Sequence, residues 1–379
     1  MNYKPALLFI VIGLGFFSCK QITRVTDKIT NPSARDLYAR SMHTDSSAYI
    51  QWQHSFEQAA YDQLDLQLPY VEKGFFRDSL NTAIGYGVTL YEGEIFHAEI
   101  ETNNPENKIF LDLMEITEDT AKTFHTLAQN EPEENRLEVP IEKSADFKLI
   151  IQPALNTETS FTLKIYRTPS YAFPVAGKGN AAIQSFWGAQ RDGGRRSHEG
   201  LDIFADRGTP VVAACSGRVR NTGNRGLGGK QVWLRGDLYG NALYYAHLDS
   251  IAARGGQRVK TGDTLGFVGN TGNARTTPPH LHFGIYKSGR GAVNPQPFIF
   301  EEIAPIPSEK EFATGARGVV NVAAANLRAA AFVEGKKLGQ AQQSDTLKII
   351  GQSADWYHVR TMQEESAFIH HNLVDDMAN

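Results

Sequence analysis

Four histidines and one aspartate stand out in this 379-residue chain. His198 and Asp202 lie in Ser197-His198-Glu199-Gly200-Leu201-Asp202, His247 in Tyr244-Tyr245-Ala246-His247-Leu248, and His280 and His282 in Pro278-Pro279-His280-Leu281-His282-Phe283. The four histidines, out of eleven in the chain, fall within 85 residues. His280 and His282 are two apart in a run where Leu281, Phe283 and Ile285 alternate as a buried strand would, so both imidazoles face one side. His198 and Asp202 are four apart, and an extended backbone puts them on one side too. Two histidines and an aspartate are an ordinary ligand set for a catalytic zinc, with the fourth corner left to water. Five candidates exceed the three required. The surplus, His247 and one of the 280/282 pair, is then available to take a proton from water or to donate to a tetrahedral oxyanion. The helical motif His-Glu-x-x-His is excluded, because position 202 is aspartate and Gly200 interrupts the window. A lone histidine is more often a solvated turn residue than a ligand, as His43, His54, His97 and His125 are read here. The clustering sets the other four apart.

The elements that must position these groups read as short strands and glycine turns. Gly223, Gly226, Gly228 and Gly229 shape a loop before the strand 231–235, while Thr261-Gly262-Asp263 and Asn270-Thr271-Gly272 are hairpin turns. These glycines are read as turn chemistry in preference to substrate contacts. Arg195 and Arg196 flank the first ligand and suit peptide carboxylates and open solvent equally.

The chain is expected to be all-β, with three β units. From Tyr49 to Tyr166 the pattern is strand-like: Phe147, Leu149 and Ile151 alternate around Lys148, as Phe161, Leu163 and Ile165 do around Thr162 and Lys164. Gly93 separates two such runs as a hairpin turn would. This predicts an antiparallel β-sandwich over 46–168, with 117–135 open between a short helix and a long loop. Pro169, Pro174 and Gly177 mark the entry to a catalytic domain over 172–300. A second proline-containing linker, 301–314, leads to closely spaced strands that predict a small barrel over 315–379.

A formal net charge of −4 lacks the basic excess of a non-specific nucleic-acid binder. Lys4 followed by the apolar run 6–17 reads as a targeting segment, too short for a transmembrane helix of about 20 residues. The only cysteines are Cys19 and Cys215. Cys215, in the apolar run 211–215, reads as a buried thiol without function. Residues 20–45 are polar and read as a tether.

Three resemblances extend this reading. The segment ending Ser18-Cys19 resembles the lipobox of bacterial lipoproteins. It implies a signal peptide over 1–18, a lipidated Cys19 on the membrane, and a place in the cell envelope on the periplasm-facing outer membrane. The runs Arg191-Asp192-Gly193-Gly194-Arg195-Arg196-Ser197-His198-Glu199-Gly200-Leu201-Asp202, Tyr245-Ala246-His247-Leu248 and Gly269-Asn270-Thr271-Gly272 through His280-Leu281-His282-Phe283 resemble the three motifs of lysostaphin-type (LytM-like) zinc endopeptidases. That resemblance covers residues 180–298. It implies a compact antiparallel β-fold with a groove, Zn2+ held by His198, Asp202 and His282, and His247 and His280 as the catalytic histidines. The implied substrates are peptide bonds in peptidoglycan stems or cross-bridges. Ala325-Asn326-Leu327-Arg328, Asp355-Trp356-Tyr357-His358-Val359 and Phe368-Ile369-His370 resemble bacterial SH3-like domains that attach to wall peptides, with Ala329-Ala330-Ala331 in place of the usual Ser-Gly-Pro. The sandwich resembles jelly-roll-like modules that accompany secreted peptidases. The expectation is a zinc endopeptidase of the wall. The alternatives are a non-catalytic activator of a partner wall hydrolase and a secreted protease with another protein substrate.

Overall fold

A computed structural model describes residues 32–42, 46–77, 83–118, 122–306 and 317–377. The targeting segment, Cys19, most of the expected tether and residues 307–314 of the second linker lie outside the described residues. The fold is mostly β-strand with few helices. Among the described residues no helix is long and apolar enough to cross a membrane.

Two helices precede the first sheet. Helix α1 (Ala34–Ser41) starts at Ser33, whose side chain accepts from Asp36 N while the Asp36 carboxylate accepts from Ser33 N. Helix α2 (Ser47–Ala60) is capped by Ser46 and buries Trp52, Ser55, Ala59 and Ala60. That spacing is the period of a helix with one buried face, so the strand-like reading starts too early at Tyr49. The helix lies close against the strand Ile84–Leu90, where a Cβ at Gly85 would sit 1.8 Å from the Ala59 carbonyl oxygen. Its cover explains why Lys148 and Ile150, alternating with the core residues of their strand, are buried as well.

The sandwich has a five-stranded sheet in the order Leu64–Asp65, Ile84–Leu90, Ala145–Pro153, Ile109–Glu118, Lys122–Gln129. Facing it are Tyr70–Phe76, Thr159–Pro169, Glu94–Thr102 and Arg136–Pro140. Phe147, Leu149 and Ile151 meet Phe161, Leu163 and Ile165 in one core, as the alternation predicts. Gly93 makes no hairpin. With φ at 98° it hands the chain from one sheet to the other, because its flanking strands belong to different sheets. The ambiguous stretch 117–135 contains a strand, Lys122–Gln129, paired antiparallel with Ile109–Glu118.

The second sheet continues beyond the sandwich. Tyr70–Phe76 also pairs with Thr346–Ser353 through Lys73 with Gln352 and Gly74 with Gly351, and the C-terminal barrel strands thereby join an eleven-stranded sheet. Glycine is required at this seam: a Cβ on Gly74 would lie 2.5 Å from the Ile350 carbonyl oxygen, and one on Gly351 would lie 2.2 Å from Glu72 Oε1. Behind the seam His358 Nδ1 lies 2.9 Å from Glu72 Oε1, both side chains fully buried, and the Tyr70 and Tyr86 hydroxyls donate to Glu72 Oε2. Asp65 N donates to the Ala329 carbonyl at 2.8 Å, so the Ala329–Ala331 turn sits against the sandwich.

Between sandwich and barrel the chain builds an antiparallel eight-stranded sheet. Its order is Ile183–Ser185, Leu201–Phe204, His280–Lys287, Ala242–Leu248, Lys230–Gly236, Gly217–Asn224, Arg258–Val259, with Gly291–Val293 added on the His280 strand. Leu201, Ile203, Leu243, Tyr245, Leu281, Phe283 and Ile285 fill the core on one face. Cys215 is buried in the same core, and burial pushes its thiol up to about 12, as expected of an inert residue. The unit leans on the sandwich through Glu92, which takes Lys287 and Arg290, and through Arg167, which binds Glu94 and Glu302.

Candidate metal centre

Asp202 and His282 are direct partners in the ladder between Leu201–Phe204 and His280–Lys287, with Phe204 opposite His280. Both histidines of the pair point to the face away from the core, as their spacing predicts. His282 Nδ1 lies 3.1 Å from Asp202 Oδ1, and His280 Nε2 lies 4.0 Å from the same oxygen. The His280 ring stacks on Phe204 with centroids 5.0 Å apart.

His198 arrives differently from its expected extended path. The strand begins only at Leu201, and His198 directly follows the short strand Arg196–Ser197, fixed by its N–H to the Ala189 carbonyl and its carbonyl to Gly188 N. Its Nε2 lies 3.0 Å from Asp202 Oδ1 and 3.1 Å from His282 Nδ1. Gly200 permits the approach, since a Cβ there would stand 2.7 Å from His282 Cε1 and 2.6 Å from the Phe283 carbonyl oxygen.

His247 depends on a bulge. In regular alternation it would share the core face with Leu243 and Tyr245, but Leu248 occupies that core instead. The pairing with Lys230–Gly236 slips between Val232 opposite Tyr245 and Lys230 opposite Leu248, which turns His247 to the open face. Its φ of 64° is left-handed, at a cost of roughly 1–2 kcal/mol for a non-glycine residue. Two bonds hold it there, His247 N to the Gly228 carbonyl at 2.8 Å and Thr271 N to the His247 carbonyl at 3.3 Å. The two loops meet through glycine: a Cβ on Gly272 would come within 2.2 Å of the Leu227 carbonyl oxygen, and one on Gly229 within 2.4 Å of Gly272 N. Close approach accounts for Gly228, Gly229 and Gly272, whereas Gly226 serves its positive φ and Gly223 has nothing nearer than 3.9 Å. The His247 ring lies 5.1 Å from that of His280 and 5.8 Å from that of His282, between centroids.

The donor chemistry suits a divalent metal. His198 Nε2, Asp202 Oδ1 and His282 Nδ1 form a triangle with edges of 3.0, 3.1 and 3.1 Å. A point about 2.0–2.2 Å from all three, the usual zinc distance to nitrogen and oxygen, exists beside such a triangle. Among the described residues these three form a group able to hold a metal ion. The His198 Nδ1–H donates to the Phe186 carbonyl at 2.9 Å, which leaves the Nε2 lone pair facing the centre. His247 Nδ1 is similarly 2.9 Å from the Thr271 carbonyl, and His280 Nδ1 is 2.9 Å from the Pro278 carbonyl. With Nδ1–H donating to a carbonyl, the neutral form of each ring presents Nε2 as an acceptor.

Burial disfavours ionised Asp202, but the His198 and His282 rings set against its Oδ1 outweigh it and hold the carboxyl far below the usual range. Burial, then the neighbouring His282 and His280, push His247 down to about 4, so its imidazole is neutral at neutral pH. His282 is lowered by burial against the pull of Asp202. One residue to which sequence reasoning gave no role reaches the centre: Arg191 Nη2 donates to Asp202 Oδ2 at 2.6 Å. Arg195 and Arg196, singled out from the sequence, are exposed.

Comparison with known proteins agrees with this geometry. Residues 196–295 match the model of Peptidase family M23, and residues 323–375 match that of the bacterial SH3 domain. The chain is 41% identical over 125 residues to an L-Ala--D-Glu endopeptidase of Bacillus subtilis, covering 31% of this chain and 38% of that one. It is 34% identical over 148 residues to the murein hydrolase activator NlpD of Salmonella dublin, covering 38% and 34%. Both matches thus span well under half of the curated relatives. The catalytic domain of lysostaphin from Staphylococcus simulans is 34% identical, covering 30% of this chain and 88% of that one, with a TM-score of 0.28. The chain is thus similar to Peptidase family M23 over residues 196–295 and, after it, to the bacterial SH3 domain over residues 323–375.

Proposed function

We propose that this protein is a zinc-dependent endopeptidase that hydrolyses peptide bonds in the stems or cross-links of peptidoglycan. The observation that carries the reading is the convergence of one atom each from His198, Asp202 and His282, with the rings of two further histidines, His247 and His280, beside them. His198, Asp202 and His282 would hold the ion. Zinc there would act as a Lewis acid towards a carbonyl and lower the pKa of water towards about 7. His247 and His280 are the catalytic histidines of this reading. Their Nδ1 bonds to Thr271 and Pro278 carbonyls lock each ring so that Nε2 can accept a proton from the attacking water. Once protonated, the same Nε2–H can donate to the oxyanion or to the departing amine. The depressed basicity of His247 keeps it unprotonated and ready at neutral pH.

The relatives support the substrate class: one bears the name of an L-Ala--D-Glu endopeptidase and another that of a peptidoglycan DD-endopeptidase. The decisive experiment incubates the purified chain with sacculi or cross-linked muropeptides, with and without a chelator. The expected result is peptide cleavage that stops on chelation and returns with zinc. Zinc-loaded protein that cleaves neither substrate would overturn it.

The second reading is a non-catalytic activator of another wall hydrolase, favoured by the likeness to NlpD. Under it a His247→Ala chain still stimulates its partner hydrolase, whereas the peptidase reading predicts peptide cleavage lowered by about 10²–10⁴-fold. Attachment of Cys19 to the periplasm-facing outer membrane belongs to the same proposal, and mass analysis of the mature N-terminus tests it.

A further inference from the structure

The two oxygens of Asp202 have different neighbours. Oδ1 faces the histidines, 3.0 Å from His198 Nε2 and 3.1 Å from His282 Nδ1. Oδ2 faces away and accepts from Arg191 Nη2 at 2.6 Å. The same nitrogen donates to Ser185 Oγ at 2.6 Å. Ser185 pairs with Asp202 in the ladder on the side opposite His282. The aspartate is thus bracketed across three strands, with a ligand on one side and an anchored guanidinium on the other.

The position of Arg191 follows from the chain that delivers His198. Gln190 and Arg191 pair with Ser197 and Arg196 in a two-stranded ribbon, and the backbone of His198 is bonded to Gly188 and Ala189 at its base. One ribbon therefore supplies the first ligand and the group that grips the second.

We propose that Arg191 is a positioning residue that makes Asp202 a one-oxygen ligand and keeps the remaining corner of the metal site open. A carboxylate with both oxygens free can swing to bind a cation through both, taking the coordination position that water or substrate requires. Arg191 occupies the second oxygen and prevents that swing. Its side chain is 34% exposed, so solvent screens its charge and its contribution is chiefly directional. A guanidinium is suited to this role, since its rigid planar fork fixes the directions of the two Nη2 N–H groups that hold Ser185 and Asp202. The inference rests on the metal-site reading of His198, Asp202 and His282.

The test measures metal binding by the full-length chain and its R191Q, R191K and D202A variants. Zinc affinity is read by competition with a chromogenic chelator, and coordination by the visible spectrum of the cobalt-substituted protein. Wild type is expected to give the intense absorption of four-coordinate cobalt, and D202A to lose tight binding. R191Q is expected to bind zinc about 10–100-fold more weakly and to shift the cobalt spectrum to the weaker bands of higher coordination. R191K, which keeps the charge without the fork, is expected to show the same spectral shift with a smaller loss of affinity. Unchanged affinity and spectrum in both Arg191 variants, with D202A impaired, would overturn this role and leave the metal-site reading standing. Wild-type chain that binds no metal would overturn both.

Discussion

Asp202 faces His282 directly across one antiparallel ladder, their ligating atoms 3.1 Å apart, while His280 looks onto the same oxygen from 4.0 Å. One register thus presents two proposed ligands and one proposed catalytic group. A slip by a single residue would send them to opposite faces. The site is therefore a property of the sheet, and its loops contribute His198 and the support for His247.

His247→Ala is expected to lower peptide cleavage by about 10²–10⁴-fold, the usual worth of a positioned acid–base group, with metal content unchanged. Asp202→Ala and His282→Ala are expected to lose the metal and the activity together. Metal analysis alongside muropeptide turnover separates the two classes, and a His247→Ala chain that retained full turnover would remove that residue from the mechanism.

Gly200→Ala puts a methyl group 2.7 Å from His282 Cε1 and 2.6 Å from the Phe283 carbonyl oxygen. Neither neighbour is a flexible chain end, so the strand or the ring must move. The expected cost is roughly 1–3 kcal/mol of stability, together with weakened metal binding. Thermal unfolding and chelator competition on one sample check both.

Glu94, in the contact between sandwich and peptidase unit, is raised to about 7, chiefly by burial, against the pull of Tyr91 N and Arg167. An acid raised on folding contributes stability that is fully present below its unfolded value of about 4.5 and is lost as pH rises through about 7. Glu94→Gln removes this titration. The variant's thermal midpoint is expected to gain on wild type between pH 4.5 and about 7 and to hold a constant lead above that. An identical pH profile for both proteins would contradict the assignment.

His358→Ala leaves Glu72 as a buried carboxylate without the ring nitrogen 2.9 Å from it, a change that costs about 3–5 kcal/mol where one member of a buried pair is removed. Because the pair crosses from barrel to sandwich, the two are expected to unfold in one transition, and the variant should lower that transition as a whole. Calorimetry showing a separate barrel transition in wild type would argue against the coupling.

Much of the site was legible because the His280–Leu281–His282 alternation and the Gly200 spacing are local. Two parts were not. His247 reaches the centre only through a bulge, which periodicity cannot register, and its left-handed backbone leaves no mark in the sequence Tyr-Ala-His-Leu. Arg191 acts across a ribbon whose pairing is visible only once folded. Ahead of the sandwich, α2 departs from the expected alternation because its buried residues Trp52, Ser55 and Ala59 follow a helical period. The strand 122–129 was obscured because its outward face is polar along nearly its whole length. The seam between Gly74 and Gly351 joins residues far apart in the chain, and neither glycine announces its partner.

That seam bears on how the molecule handles mechanical load. The chain leaves the sandwich at Pro169, builds the whole peptidase sheet, and returns to lay its barrel against the strand Tyr70–Phe76. The unit that carries the candidate metal centre is therefore a side branch of a closed frame. A tug between the two ends of the polypeptide would load the short seam at Lys73–Gly74, while the strands that carry the candidate ligands, lying off the line of force, would keep their spacing until the frame gave way.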